Sequence, residues 1–123
     1  MRKVDKKEFR IRMYSSTREA SSNQEKKISK VLGAKRTANS GATPFDKGDL
    51  YIGQEWLIEA KTCMENKKSF SIKKQWLDKM KEEQFACNKQ YSSLCFDFGP
   101  DSERYYIVNE KVFKLLTELL EQN

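Results

Sequence analysis

The residues best suited to chemistry are two carboxylates and a lysine, Asp49, Glu59 and Lys61. Gly53-Gln54 predicts a tight turn between the two carboxylates, so a hairpin would bring them together across neighbouring strands. Alternate residues of a strand share a face, so Glu59 and Lys61 would project to the same side. Two carboxylates with water and phosphate oxygens suit Mg²⁺ or Mn²⁺, and a lysine can assist the attacking water or stabilise charge developing on phosphorus. The spacing therefore predicts a site for metal-assisted hydrolysis of phosphodiester bonds.

A purely structural explanation of the same three residues is also open. Asp49 could be a turn aspartate, and Glu59 and Lys61 could form a solvated strand face with a cross-strand ion pair.

Composition excludes several other kinds of site. The chain has no histidine, which removes Ser-His-Asp and Cys-His catalysis and histidine-ligated zinc. Its three cysteines form no CxxC pair, so we expect neither a disulfide scaffold nor a thiolate zinc site, and we expect a reducing, cytoplasmic setting. Neither a membrane-spanning apolar run nor an apolar signal segment is visible, so no membrane partner is expected.

Positive charge is concentrated in the first third of the chain. Residues 1–40 contain 12 Lys and Arg against 4 Asp and Glu, whereas residues 41–123 contain 12 against 14. A basic segment on a slightly acidic body favours a polyanionic partner, most often nucleic acid, with solubility as the plainer explanation.

The elements that must position the three residues indicate an α/β domain with a central mixed sheet flanked by helices. Residues 1–15 are interpreted as a basic N-terminal arm, either mobile or a short strand, and residues 16–123 as a single domain. Two serines, Ser16 and Ser22, fit a capping box at the first helix, and Ser71 fits the cap of the second. The predicted elements are a helix over 16–33, strands over 50–52 and 55–62, a helix over 71–88, strands over 93–98 and 104–108, and a helix over 110–121.

Gly48-Asp49 followed by Glu59-Ala60-Lys61 resembles the PD-(D/E)xK nuclease motif, with Gly48 where proline is often found. Features on both sides extend this resemblance to Holliday junction resolvases of archaeal and phage type, over about residues 22–98. They are a glutamate in the first helix, Glu25, the loop Gly33-Ala34-Lys35-Arg36…Ser40-Gly41-Ala42, and the helix start Ser71-Ile72-Lys73-Lys74-Gln75.

The resemblance implies a restriction-endonuclease-like fold and a role for each matching position. Asp49 and Glu59 would bind Mg²⁺, or Mn²⁺ as a substitute, with the Ala60 carbonyl as a further ligand, and Lys61 would be the catalytic lysine. Glu25 would reach the site directly or through water. The alternative is that the capping box alone explains a glutamate at this position. Gln75 would support the lysine or a metal-bound water. The alternative is that Gln75 is simply a surface residue.

Basic and small residues on both sides of the motif are the candidates for DNA contacts, with a solvated basic loop as the alternative. They are Lys35, Arg36, Asn39, Ser40, Gly41 and Lys47 on the loop leading into Asp49, and Lys67, Lys68, Lys73 and Lys74 just after the strand that carries Glu59 and Lys61. Such binding would be dominated by phosphate contacts.

The function expected from the resemblance is that of a Mg²⁺-dependent endonuclease, a Holliday junction resolvase-like enzyme acting on branched DNA in a bacterial cytosol or a phage-infected cell. A homodimer is also implied, because two strands must be cut symmetrically. The leucine stripe of the last helix, with Tyr105, Tyr106 and Phe113, supports dimerisation only weakly, and these residues are expected in the core. The alternatives are a nuclease for flaps, nicks, single strands or a short recognition sequence, and a non-catalytic nucleic-acid-binding recombination accessory protein.

Overall fold

A five-stranded mixed sheet with three helices forms the structure. The computed structural model describes residues 6–36, 49–100 and 102–122, with side chains for 18–36, 50–100 and 102–122. In chain order the elements are α1 (Lys6–Leu32), β1 (Lys35–Arg36), β2 (Asp49–Ile52), β3 (Trp56–Lys61), α2 (Lys74–Ala86), β4 (Tyr91–Phe96), β5 (Tyr105–Ile107) and α3 (Glu110–Glu121). The predicted α/β class with a mixed sheet and flanking helices is confirmed.

The strands lie in the order β1-β2-β3-β4-β5. Strand β2 is antiparallel to both of its neighbours, β1 and β3, whereas β3 and β4 are parallel, and β5 returns antiparallel to β4. A parallel pair needs a long crossover connection, and α2 lies on the connection between β3 and β4. Gly53, at φ +58°, makes the turn between β2 and β3, as the sequence predicts.

Helices cover both faces of the sheet, so β3 is buried on its two sides. We call the face that packs against Ile28 of α1 the α1 side, and the face that packs against Met80 of α2 the α2 side. The buried core of the α1 side consists of Ile28, Ala34, Leu50, Ile58 and Cys95, and that of the α2 side of Leu57, Met80 and Leu94. By alternation, Glu59 and Lys61 belong with Leu57 on the α2 side.

Helix α1 begins at Lys6, well before the predicted start at residue 16. Residues 6–15 are therefore helical, and neither Ser16 nor Ser22 caps the helix, because both lie inside it. The physical reason is that no Gly or Pro interrupts residues 6–32, which are rich in good helix formers. The predicted end is confirmed: Gly33, at φ +66°, follows the helix and its N–H donates to the Ser29 carbonyl at 2.9 Å.

Helix α2, in contrast, begins at Lys74, later than the start predicted from Ser71. Its N-cap residue is Lys73, in an extended conformation and without a side-chain capping hydrogen bond, so the prediction of Ser71 as the cap is wrong. Ile72, just before the helix, packs against the core of the α2 side.

Helix α3 has the predicted span, and the Asn109 Oδ1 caps it by accepting from the Val112 N–H at 2.9 Å. Its leucine stripe is nevertheless mostly outside the core, and Val112 is the buried residue of the helix. Phe113 is 60% exposed and Leu120 74%, because the described sheet already has α1 and α2 on its faces. The expectation that the stripe is core is therefore wrong, and Tyr105 and Tyr106 are likewise exposed.

Among the described residues, no helix is both long and apolar enough to cross a membrane.

A buried thiol and a phenol lie together on the α1 side, where Cys95 of β4 pairs with Tyr106 of β5. Burial raises the pKa of Cys95 to about 11, although its hydrogen bond with Tyr106 acts in the opposite direction. Although Tyr106 is 39% exposed as a whole, desolvation of its hydroxyl beside Cys95 also raises its pKa to about 12, with the charge of Cys95 as a further cause. The folded chain therefore holds both protons more tightly than the unfolded chain does.

This pair predicts a loss of stability at alkaline pH. An ordinary Cys pKa is 9.0, so the free energy of unfolding should be maintained below about pH 9 and fall as the pH rises towards 11. The slope contributed by one thiol is at most about 1.4 kcal/mol per pH unit. Cys95→Ala should flatten the profile between pH 9 and 10, measured by urea unfolding.

Cys87→Ala is the matched control, because it removes an exposed thiol instead of a buried one. It should keep the wild-type slope. Equal slopes for wild type and Cys95→Ala would show that the buried thiol does not limit alkaline stability.

Candidate functional site

The hairpin places the two carboxylate residues in register. Asp49 of β2 lies directly opposite Glu59 of β3, and Lys61 follows two residues later on β3. Directly opposed residues of an antiparallel pair share a face of the sheet. The backbone arrangement predicted from the Gly53-Gln54 turn is therefore present.

Glu59 and Lys61 form a buried ion pair. The Lys61 Nζ lies 3.4 Å from the Glu59 Oε1, and the two side chains are only 10% and 7% exposed. This burial contradicts the explanation in which both residues belong to a solvated strand face. Removing two charges from water costs free energy that their attraction only partly returns, so such a pair is weak evidence for a stabilising role. A buried charged pair with a second carboxylate residue opposite it in the sheet is therefore a candidate functional site.

Trp76 of α2 completes the surroundings of the lysine. The Lys61 Nζ lies 4.8 Å from the centroid of the indole ring, and the Lys73 Nζ lies 5.6 Å from it. Lys61 is thus held between a carboxylate and an aromatic face. Sequence reasoning missed this contact, although the spacing of Ile72, Trp76 and Met80 did indicate an inward-facing stripe.

Gln75 lies beside Trp76 in the first turn of α2 and is exposed. Ala60 lies between Glu59 and Lys61 on β3, with its side chain against the core of the α1 side.

Glu25 is buried on α1 and is held by a cation from β1. Its Oε2 lies 3.1 Å from the Arg36 Nε. Burial raises the pKa of Glu25, the charge of Arg36 lowers it, and the charge of Glu59 raises it further. Glu25 is therefore close enough to Glu59 for the two carboxylates to repel each other, although its ion pair is with Arg36. Because Ser22 lies inside α1, the capping-box explanation of Glu25 is wrong.

A second polar network, which sequence reasoning missed, ties α1 to the ends of β3 and β4. The Gln24 Nε2 donates to the Lys61 carbonyl at 2.6 Å and to the Asp97 Oδ2 at 3.0 Å. The Thr62 Oγ1 donates to the other carboxylate oxygen of Asp97 at 2.7 Å. Three donors, counting the Gly99 N–H, satisfy this buried carboxylate. The backbone at Lys61 is thereby fixed to the helix that carries Glu25.

Some of the basic residues predicted to contact DNA already form ion pairs within the protein, and others are exposed to solvent. Arg36 is engaged, because besides Glu25 it donates to the Ser22 carbonyl at 2.9 Å. Lys74 pairs with Asp78 at 3.0 Å on the surface of α2. The remaining described candidates are exposed, although Lys73 also lies over the Trp76 ring; they are Lys35, Lys67, Lys68 and Lys73. Four others, Asn39, Ser40, Gly41 and Lys47, lie outside the described residues.

The residues at the hairpin are of the type that Mg²⁺ binds. No three carboxylate or thiolate groups come together among the side chains that the structure describes, and the side chain of Asp49 is not one of those. Mg²⁺ is commonly held by one or two protein carboxylates, with waters and substrate phosphates completing its shell. Glu59, with Asp49 opposite it in register, fits that requirement.

Comparison with known proteins found no matching family model, curated protein or solved structure. The geometry of the site is therefore what supports a functional assignment.

The Glu25–Arg36 pair generates a prediction about stability. Arg36→Gln should lower the free energy of unfolding by about 2 kcal/mol, because it leaves a buried carboxylate without its cation. Glu25→Gln in the Arg36→Gln background should recover part of that loss, since the buried charge is then gone. Urea unfolding of the four chains in a double-mutant cycle measures the coupling.

Lys35→Gln is the matched control, an exposed neighbour on the same strand, and should change stability by no more than about 0.5 kcal/mol. Additive effects of the Glu25 and Arg36 substitutions would contradict the coupling.

Proposed function

We propose that this chain is a metal-dependent endonuclease that hydrolyses DNA phosphodiester bonds, with a restriction-endonuclease-like fold and selectivity for four-way Holliday junctions. The observation that carries the proposal is the register of Asp49 opposite Glu59, with Lys61 buried beside Glu59. A purely structural hairpin has no need of the charges of Glu59 and Lys61 at a covered sheet face, whereas phosphodiester hydrolysis uses such groups together with a second carboxylate.

The division of labour follows from what each residue can do. Asp49 and Glu59 supply oxygen ligands for Mg²⁺, which provides a water of lowered pKa and offsets the phosphate charge. Lys61 presents an ammonium whose position is set by Glu59 and Trp76, so it can orient the attacking water or stabilise the charge that develops on phosphorus. Glu25, paired with Arg36, lies near enough to Glu59 for the two carboxylates to interact, and Gln75 is accessible to a bound substrate.

Charge at the site supports a nucleic-acid substrate. Lys67 and Lys68 are exposed on the segment between β3 and α2, and Lys73 lies at the start of α2. Lys67 and Lys68 follow β3 in the chain, and Lys73 lies 5.6 Å from the Trp76 ring that Lys61 also contacts, so these ammonium groups could hold the DNA backbone through its phosphates.

A junction with two symmetric cuts requires two active sites, so the proposal includes a homodimer. The exposed stripe of α3 supports it, because Phe113, Leu116 and Leu120 lie at helical spacing outside the core.

Lys61→Met tests the assignment most directly. The substitution keeps an apolar stem beside Trp76 and removes the ammonium group. Mg²⁺-dependent cleavage of a labelled four-way junction should fall at least about 100-fold, because one electrostatic stabiliser of the transition state is lost. Binding of the same junction without a divalent metal should be retained.

Lys114→Met is the matched control, because Lys114 is an exposed lysine of α3 that pairs with Glu118, and the variant should cleave as the wild type does. Circular dichroism checks that both variants are folded. Undiminished cleavage by Lys61→Met would overturn the assignment. A parallel panel tests flaps, nicked duplexes and single strands, and preferential cleavage of one of these would replace the proposed junction specificity. If the wild type neither cleaves DNA nor binds a divalent metal, an accessory binding protein is favoured.

A further inference from the structure

An aromatic residue lies in the same row of the sheet as the candidate catalytic lysine. Lys61 of β3 is opposite Phe96 of β4, and Phe96 is opposite Tyr105 of β5. Residues directly opposed across neighbouring strands share a face, so all three belong to the α2 side. Two strand spacings separate Lys61 from Tyr105, which is about 10 Å.

The ring of Tyr105 is held in place by other aromatic rings. It stacks on Phe96, with centroids 5.7 Å apart and planes 27° apart, and Phe96 stacks in turn on Phe70 at 5.5 Å. Phe98 contacts Tyr105 edge-on at 6.0 Å. The Tyr105 hydroxyl donates to the Glu103 carboxylate at 3.3 Å, which fixes the other end of the side chain.

Tyr105 is nevertheless 45% exposed, on the last strand of the sheet. A ring that is backed by a stack and open to solvent can accept another flat ring at little entropic cost. Aromatic side chains of this kind stack with unpaired nucleobases, each contributing about 1–3 kcal/mol by alanine substitution.

Basic residues adjoin the stack. The Lys67 N–H donates to the Phe98 carbonyl at 2.6 Å, which places the segment carrying Lys67 and Lys68 next to a ring that contacts Tyr105. Both lysines are exposed, so they can bind the phosphates of a strand that crosses this face. The carboxylate of Glu103 is the opposing charge, and it already accepts from the phenol.

We propose that Tyr105 is the stacking platform for an unpaired nucleobase of the DNA strand whose phosphate lies at Lys61. The inference rests on the proposed nuclease function and narrows its substrate class to branched DNA in which a base next to the cut can leave the stack, as at an opened branch point or at a flap. A base within a continuous duplex is stacked on both of its neighbours and offers no free face. The platform would therefore favour branched or distorted DNA without reading its sequence.

The experiment measures DNA binding without divalent metal, with 2-aminopurine as the unpaired base of a flapped duplex. Stacking on Tyr105 should quench the 2-aminopurine fluorescence of the wild-type complex. Tyr105→Leu should lose this quenching and raise the Kd for the flapped duplex about 5- to 150-fold, while the Kd for a continuous duplex stays unchanged. Tyr105→Phe keeps the ring and should behave as wild type.

Tyr106→Leu is the matched control. Tyr106 is the next residue of β5 and is 39% exposed, but it pairs with Cys95 on the α1 side. Its substitution should leave both the quenching and the Kd for the flapped duplex as they are in wild type.

The platform is overturned if wild type gives no quenching, if Tyr105→Leu binds the flapped duplex as tightly as wild type, or if it weakens the continuous duplex equally. The quenching by wild type does not depend on any variant folding. Cleavage of a labelled four-way junction by the same wild-type protein, with Mg²⁺ added, separates the two proposals. Cleavage without quenching removes the platform alone, whereas absence of any DNA binding removes the nuclease function with it.

Discussion

The burial of Glu59 is the constraint on which the arrangement around β3 depends. A carboxylate on a covered sheet face must be given a cation, and Lys61 supplies it from two residues along the same strand. The lysine in turn needs a favourable surface for its stem and charge, which Trp76 provides from α2. One costly side chain thus determines the neighbours on its own strand and on the helix that packs over it.

The pairing of the strands places residues from distant parts of the chain beside the Glu59–Lys61 pair. The hairpin sets Asp49 opposite Glu59, and the parallel pairing with β4 extends the row of Lys61 to Phe96 and Tyr105. On the other face, α1 is joined to the same strand end through Gln24. Phosphate chemistry and base stacking would then occur on one continuous surface, with its spacing fixed by the hydrogen bonds of the sheet.

Sequence reasoning succeeded where local patterns decide the structure. The turn at Gly53-Gln54 predicted the hairpin, and hence the pairing of Asp49 with Glu59, and the periodicity of α3 predicted its span. It failed where tertiary contacts decide. Nothing local shows that Trp76 lies over Lys61, that Arg36 is engaged by Glu25 or that the stripe of α3 stays outside the core. Serine caps misled at α1 because an uninterrupted run of helix formers outweighs a single capping residue.

The position of Trp76 has a practical consequence. The chain contains two tryptophans, and the other, Trp56, lies on the α1 side with its indole N–H bonded to the Ser93 hydroxyl at 3.0 Å. Trp76 has two ammonium groups against its ring, those of Lys61 and Lys73. Its ultraviolet emission is therefore an intrinsic optical reporter at the candidate site, sensitive to whatever draws either lysine away from the indole.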